Sequence, residues 1–247
     1  MIDFIDLTIP VVEIFQSVSG EGVSAGYITT FVRVAGCNLR CTYCDSTYSY
    51  AESGNTVKIM KPNEILRVVT KFDCKYIICT GGEPLEPGKS KRMLPLYLAS
   101  KGFKIRIETN GSCPVYSRDE ILPYLKDGSR LGSVNYTLDI KCPGSGMVNH
   151  NIFDENLANL IHGDELKFVV GNKEDIQFAC DILKKYSTML NQNNIVINIS
   201  PSFQGIEPAA LVDLLKEKHT FFAKEELKVR LSLQIHKYIW PPNARGV

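Results

Sequence analysis

Apolar residues recur along the chain in two rhythms. Short runs rich in Val, Ile, Tyr and Phe occur at Tyr27–Ala35, Tyr76–Thr80, Lys104–Glu108, Val134–Asp139, Glu165–Val170, Ile195–Ser200 and Lys228–Gln234. Each has the length and β-branched content of a strand. Between them apolar positions return every three or four residues, the period of a helix with one buried face. Pro62–Phe72 groups Ile65, Leu66, Val69 and Phe72; Lys173–Leu190 groups Ile176, Ala179, Cys180, Leu183 and Tyr186; Glu207–Lys218 groups Leu211, Leu214 and Leu215. A helix over Ser117–Lys126 opens with Ser117-Arg118-Asp119-Glu120, whose serine and glutamate can cap each other's backbone. Val11–Phe15 predicts an extra strand, and the weakly periodic Gly144–Leu160 reads as an insertion or a mobile loop.

Strands alternating with helices predict an α/β fold on a mainly parallel sheet. About six parallel strands, with fewer full helices, fall short of a closed eightfold barrel. The expected architecture is therefore a partial, open βα barrel. One domain is expected over residues 1–247, with an extension at 1–26, a βα core at 27–200, and a strand and tail at 201–247. Residues capable of chemistry gather just past the strand ends: a cysteine loop, Thr80-Gly81-Gly82-Glu83-Pro84, Glu108-Thr109-Asn110-Gly111, Asp139-Ile140-Lys141, Ser200-Pro201-Ser202-Phe203-Gln204 and Gln234-Ile235-His236-Lys237. In parallel α/β architectures these ends converge on one face, where active sites lie.

Composition narrows the classes. The 28 basic and 27 acidic side chains leave a net charge of +1, which gives no reason to expect direct nucleic-acid binding. No apolar run approaches the length of a membrane span. The opening Met1–Asp6 lacks the basic stretch of a secretion signal, so a cytoplasmic protein is expected. Eight cysteines in such a protein point to metal or redox use rather than to disulfides. Cys74, Cys79, Cys113, Cys142 and Cys180 are scattered singly and read as small buried residues.

The remaining three are clustered in Gly36-Cys37-Asn38-Leu39-Arg40-Cys41-Thr42-Tyr43-Cys44-Asp45-Ser46, directly after the first strand of the series. Three thiolates can hold three corners of a 4Fe-4S cluster, leaving one iron open. An open metal position marks a catalytic centre rather than a structural one. A zinc site is the alternative, but its nearest possible fourth ligands, Cys74 and Cys79, lie far along the chain.

The cysteine loop, Gly81-Gly82-Glu83-Pro84 and the barrel order together resemble the radical S-adenosylmethionine (SAM) superfamily. The resemblance implies that Cys37, Cys41 and Cys44 bind a 4Fe-4S cluster, that SAM chelates the open iron, and that its cleavage gives a 5′-deoxyadenosyl radical. Tyr43 would pack against adenine, or is an ordinary core aromatic. Gly81, Gly82 and the Glu83 carboxylate would hold the SAM ammonium. Glu108 and Asn110 suit ribose hydroxyls, with helix capping as the alternative. Asp139, Ile140 and Lys141 follow, Lys141 meeting the SAM carboxylate or pairing with Asp139. Ser200, Pro201, Ser202, Phe203 and Gln204 would close over the same cofactor.

Both ends of the chain narrow the resemblance. Glu13-Ile14-Phe15-Gln16-Ser17-Val18-Ser19-Gly20-Glu21-Gly22, Phe31-Val32-Arg33, Cys44-Asp45-Ser46 and Gln234-Ile235-His236-Lys237 resemble the 7-carboxy-7-deazaguanine synthase family of the queuosine pathway. That family converts 6-carboxy-5,6,7,8-tetrahydropterin to 7-carboxy-7-deazaguanine with loss of ammonia, using SAM as a true cofactor. It implies Mg²⁺ beside the cluster on Ser46, with Thr47 as backup and helix capping as the alternative for Ser46. It implies substrate contacts from Val18, Ser19, Gly20, Glu21, Arg33, Thr80 and His236. Glu21 would accept from the N–H groups of a guanine-like edge. Arg33, costly to bury unpaired, would fork onto the substrate carboxylate. The family also implies a homodimer and an electron donor such as flavodoxin or ferredoxin. This chain departs in having Ser19 where the family usually has glutamine, and in continuing past Lys237 to Val247. Trp240 and the Pro241-Pro242 pair would form a lid or dock on a second subunit. A glycyl-radical activase shares the cysteine spacing but has no use for the signatures around Gly20-Glu21-Gly22 and His236. A zinc-binding interaction module would leave the strand-end glycines and carboxylates without a purpose.

Overall fold

The structure, a computed structural model, describes residue 4 and residues 6–125, 134–203 and 205–247. Nine strands form one sheet: β1 (Ile9–Val18), β2 (Ile28–Val34), β3 (Lys58–Met60), β4 (Tyr76–Gly81), β5 (Lys104–Thr109), β6 (Val134–Ile140), β7 (Glu165–Val170), β8 (Val196–Pro201) and β9 (Lys228–Leu231). Their spatial order is β3-β1-β2-β4-β5-β6-β7-β8-β9. From β2 to β9 every neighbouring pair is parallel, so seven strands, not about six, make the parallel series. β1 pairs antiparallel with both β2 and the short edge strand β3. No ladder joins β9 back to β3 among the described residues, and the barrel is open.

Eight α-helices accompany the sheet among the described residues: α1 (Pro62–Thr70), α2 (Leu94–Ser100), α3 (Arg118–Ile121), α4 (Phe153–Leu157), α5 (Lys173–Gln192), α6 (Pro208–Glu217), α7 (His219–Lys224) and α8 (His236–Ile239). Ile65 and Val69 of α1, Ile176, Ala179 and Leu183 of α5, and Leu211 of α6 are buried, the stripes expected from periodicity. The Ser117 capping box forms in both directions, with Ser117 N–H donating to Glu120 and Glu120 N–H to Ser117 Oγ. Yet α3 stops at Ile121, because Pro123 cannot supply the N–H of a continuing helix. The end of that expected helix, Lys126, lies outside the described residues. Gly144–Leu160 is not a loose insertion: it packs as two 3₁₀ turns and α4, with Ser145, Asn156, Leu157 and Leu160 buried.

Strand residues alternate between two faces. One set, including Val32, Ile77, Ile105, Leu138, Phe168 and Ile197, belongs to the apolar core beneath the helices. The alternate set is polar: Arg33 on β2, Thr80 on β4, Arg106 and Glu108 on β5, Thr137 and Asp139 on β6, Glu165 and Lys167 on β7, Asn198 on β8, Arg230 on β9. A sheet with a mainly polar inner face encloses a cavity instead of a second packed core.

The floor of that cavity is a buried charge network. Glu165 is fully buried and accepts from Arg106 (3.2 Å), Thr137 Oγ1 (2.7 Å), Asn198 Nδ2 (2.7 Å) and the backbone N–H of Val23 (2.7 Å). The β1–β2 connection crosses this floor, where Gly22 N–H donates to Ser232 and Arg230 donates to Gly22 O. It spans from the first parallel strand to the last and shuts the gap that the ladder leaves. Replacing Glu165 by Leu strands Arg106 without its counter-charge and should destabilise the fold by about 3–5 kcal/mol. Urea unfolding followed by circular dichroism measures this, and a loss under about 1 kcal/mol would show that the floor does not depend on the charge.

Candidate active site

The cysteine loop leaves β2 through Gly36, whose φ of +87° turns the chain sharply. Gly36 N–H donates to Ser49 O and Cys37 N–H to Tyr50 O, which closes the loop on the 3₁₀ turn Thr47–Ser49. Cys44 N–H bonds to Cys41 O, folding these two cysteines into one turn. Thr42 is braced from outside by N–H to Ser145 O and Oγ1 to Gly144 O (2.7 Å). All three thiols are half-buried and line a cavity of about 280 Å³. Burial pushes Cys37 and Cys41 up, so both favour the neutral thiol until a metal claims the sulfur.

The donor set fits an iron–sulfur cluster better than zinc. Cys79 is buried in the core, and Cys74 donates to Ile28 O and Tyr76 O at the opposite end of the strands. Two buried polar atoms beside the thiols, the Tyr43 hydroxyl and Asp139 Oδ1, have no hydrogen-bond partner among the described residues. A polar cofactor over the cysteines would meet them both.

Gly81 and Gly82 line the cavity, and they also make a close backbone contact. A Cβ on Gly82 would lie 1.9 Å from Gly36 O, and one on Gly81 2.2 Å from Val34 O. Glycine is required here so that the β4 connection can lie directly on the cysteine loop. Gly82 N–H donates to Val34 O and Glu83 N–H to Gly36 O. The Glu83 carboxylate does not face the cavity. It is fully buried and accepts from Leu85 N–H (2.8 Å), Thr109 Oγ1 (2.8 Å) and Asn110 N–H (2.7 Å), tying β4 to β5. Its expected contact with an ammonium is therefore corrected to a structural one.

The other strand ends divide between cavity and core. Glu108 accepts from Thr80 Oγ1 at 2.7 Å, and both line the cavity. Burial, with the neighbouring Glu21 charge, pushes Glu108 up. Asn110 caps no helix: its Nδ2 lies 3.8 Å from Cys37 Sγ and 3.0 Å from Asn38 Oδ1. Lys141 pairs with Asp139 at 2.7 Å and stands 6.0 Å over the Tyr43 ring. Burial pulls Lys141 down, but Asp139 outweighs it and the ammonium persists. Ile140 points into the core, as strand alternation demands. Ser200, Pro201 and Ser202 are buried and do not line the cavity, while Phe203 does. Gln204 lies outside the described residues.

The deeper half of the cavity holds the residues expected to meet a substrate. Arg33 is not unpaired: Glu13, its register partner on β1, accepts from Nε at 2.7 Å. Arg33 Nη1 also reaches Ser46 Oγ at 3.4 Å. Ser46 makes no side-chain helix cap; its hydroxyl donates to Asp45 at 3.0 Å and lines the cavity, whereas Thr47 does not line it. Crowding raises Asp45, but Lys237 at 3.1 Å outweighs it and holds the carboxyl at about 2. Glu21 pairs with Lys167 and accepts from Gln234 Nε2 at 2.9 Å. Burial alone would raise Glu21, yet these partners bring it below its ordinary value. Val18 and Gly20 line the cavity; Ser19 does not, its hydroxyl bonding Ser24 at 2.8 Å within the β1–β2 connection. His236 starts α8 rather than ending a strand, and its ring covers Gly20, where a Cβ would lie 2.1 Å from Nδ1. Burial keeps that imidazole neutral by lowering it.

Residues 241–247, the proline pair included, line the cavity, while Trp240 does not. Arg245 stacks 3.7 Å over the Tyr48 ring, and the Tyr48 hydroxyl donates to Glu13 at 3.2 Å. Lys167 and Tyr48 were not singled out by sequence reasoning, and Glu13 entered only as the first residue of the N-terminal motif. Lys167 had a signal: a charge between Leu166 and Phe168 in a strand must face something polar.

Three comparisons with known proteins agree with this geometry. A family model described as the radical SAM superfamily matches residues 31–141. The 7-carboxy-7-deazaguanine synthase of Clostridium acetobutylicum is 36% identical over 96% of this chain and 98% of its own. That of Chlorobaculum tepidum is 34% identical over 95% of this chain and 96% of its own. The crystal structure of QueE from Escherichia coli shares the fold with a TM-score of 0.65 at 21% identity, covering 92% of this chain and 93% of that one. The cysteine loop on an open βα barrel, and full-length kinship of this kind, make the chain an enzyme of the 7-carboxy-7-deazaguanine synthase family within the radical SAM superfamily.

Proposed function

We propose that this enzyme converts 6-carboxy-5,6,7,8-tetrahydropterin to 7-carboxy-7-deazaguanine with loss of ammonia, acting as a single domain and using SAM catalytically. One observation carries the reading: the cluster thiols and a ring of paired charges line the same cavity, with Glu21, Lys167, Arg33 and Ser46 facing Cys37, Cys41 and Cys44. The bound 4Fe-4S cluster and SAM supply one-electron chemistry and hydrogen-atom abstraction. The chain's residues hold and orient. Cys37, Cys41 and Cys44 would hold the cluster, Tyr43 and Lys141 would contact SAM, and the Thr80–Glu108 pair presents a carboxylate at the strand ends.

Glu21 then accepts the paired N–H groups of the guanine-like edge, exchanging its contact with Lys167 for two directional bonds. Arg33 draws the substrate carboxylate toward Ser46, with Glu13 and Tyr48 holding the guanidinium in plane. Ser46 and the neighbouring Asp45 offer oxygen donors of the kind Mg²⁺ takes, with the substrate carboxylate as a further ligand. His236, neutral and packed on Gly20, closes the side of the pterin site. A homodimer and a low-potential donor such as flavodoxin or ferredoxin complete the proposal. No helix among the described residues is long and apolar enough to cross a membrane.

The decisive experiment is anaerobic reconstitution with iron and sulfide, then incubation with SAM, reductant and carboxytetrahydropterin. The expected product is 7-carboxy-7-deazaguanine, with SAM unconsumed; SAM cleavage without pterin turnover would reject the substrate. Cys37→Ala should lose the visible cluster absorbance and all turnover. Ser46→Ala should keep the cluster but lose its response to added Mg²⁺, and an unchanged Mg²⁺ titration would reject it as ligand. Glu21→Gln gives up a charge-assisted pair, so KM for the pterin should rise about tenfold or more. Cluster content in that variant should match wild type, and an unaltered KM would remove Glu21 from the substrate site.

A further inference from the structure

One buried cation takes no part in the proposed chemistry. Lys91 lies in the 3₁₀ turn Ser90–Met93, in the connection that follows β4, and is 1% exposed. An ammonium that deep persists only with partners for its donors. Lys91 Nζ donates to Gly36 O at 2.7 Å and to Ala35 O at 3.1 Å. It also pairs with Glu86 at 2.7 Å and with Glu52 at 3.7 Å.

The location of these partners is informative. Ala35 and Gly36 are the two residues immediately before Cys37. Glu52 lies just beyond the turn that closes the cysteine loop, and Glu86 belongs to the glycine-pair connection. One ammonium therefore joins the entry of the loop, its exit and the connection stacked on it. Gly36 O accepts from Glu83 N–H as well, so two donors from the same connection fix this carbonyl. The approach is close: a Cβ on Gly36 would come within 2.7 Å of Lys91 Nζ.

We propose that Lys91 is a positioning residue for the iron–sulfur cluster, freezing the backbone that carries Cys37 so that its thiolate meets the iron without reordering. Lys91 does not line the cavity and acts through Cys37. A ligand held by a fixed backbone leaves its metal slowly, because release gains it little freedom. With Lys91 removed, Ala35 O loses its side-chain donor, Gly36 O keeps only the Glu83 N–H, and Cys37 rides on a loosened strand end. This rests on the cluster reading of the three cysteines.

The test compares iron retention, not turnover. Wild type, Lys91→Met and a remote core variant, Leu211→Ala, are reconstituted anaerobically, and the loss of cluster absorbance to excess EDTA is timed. Methionine preserves the apolar stem, and Glu86 and Glu52, 23% and 41% exposed in their side chains, can turn to water, so the variant should fold. Lys91→Met should release iron about tenfold faster than wild type, the scale of lost outer contacts at metal sites. Leu211→Ala, from a fully buried position on α6, should lower Tm while keeping the wild-type release rate. Equal release from Lys91→Met and wild type, or equal acceleration by Leu211→Ala, would overturn the assignment. If Lys91→Met does not fold, Glu86→Gln, which weakens the hold on the ammonium, should accelerate release by a smaller factor; a wild-type rate there would overturn it too. Failure of the cluster reading itself would look different, as a wild-type chain that takes up no iron and sulfide.

Discussion

The site depends on a backbone contact. Where Gly82 meets Gly36, two chain segments touch with no side chain between them, and two N–H groups of the β4 connection donate to the carbonyls of Val34 and Gly36. That contact sets the height of the cysteine loop above the sheet. Glu83 secures it from below through β5, and Lys91 from the side. Any Cβ at Gly82 would lift the loop, and the thiols would leave the cavity that Glu108, Asp139 and Lys141 line from the neighbouring strands.

Inside the cavity the charges come in opposed pairs: Glu13 with Arg33, Glu21 with Lys167, Asp139 with Lys141, Asp45 with Lys237. Pairing lets so many ionised groups face one enclosed space, since each would otherwise pay heavily for leaving water. In the proposed reaction a substrate bearing both a carboxylate and a guanine-like edge is met by groups already oriented, and binding exchanges one partner for another. The same economy explains why Glu21 and Asp45 remain ionised despite crowding that would raise them.

Much of this was legible from residue order. The seven apolar runs all became strands of the parallel series, and the stripes on α1, α5 and α6 face the core, because burial of a periodic face is decided locally. The cysteine spacing and the polar strand ends located the mouth. What escaped was set by contacts across the chain. Glu83 looked available because its partners, Thr109 and Asn110, arrive from the next strand. Arg33 looked unpaired because Glu13 reaches it only through antiparallel register. Ser19 looked exposed to a ligand until the β1–β2 connection folded it against Ser24. α2 went unseen because nearly every one of its residues is buried, which erases the amphipathic rhythm.

The pairing of the two chain ends has a consequence for biosynthesis. Gly22 bonds Ser232 and Glu21 bonds Gln234 across separations of 210 and 213 residues. The cysteine loop is thus synthesised well before the wall that shelters it. Between those two points the nascent chain carries three thiols beside an unfinished floor, and contacts of such span form late. One docking step of residues 232–234 on the β1–β2 connection then completes the side of the cavity that faces the three thiols.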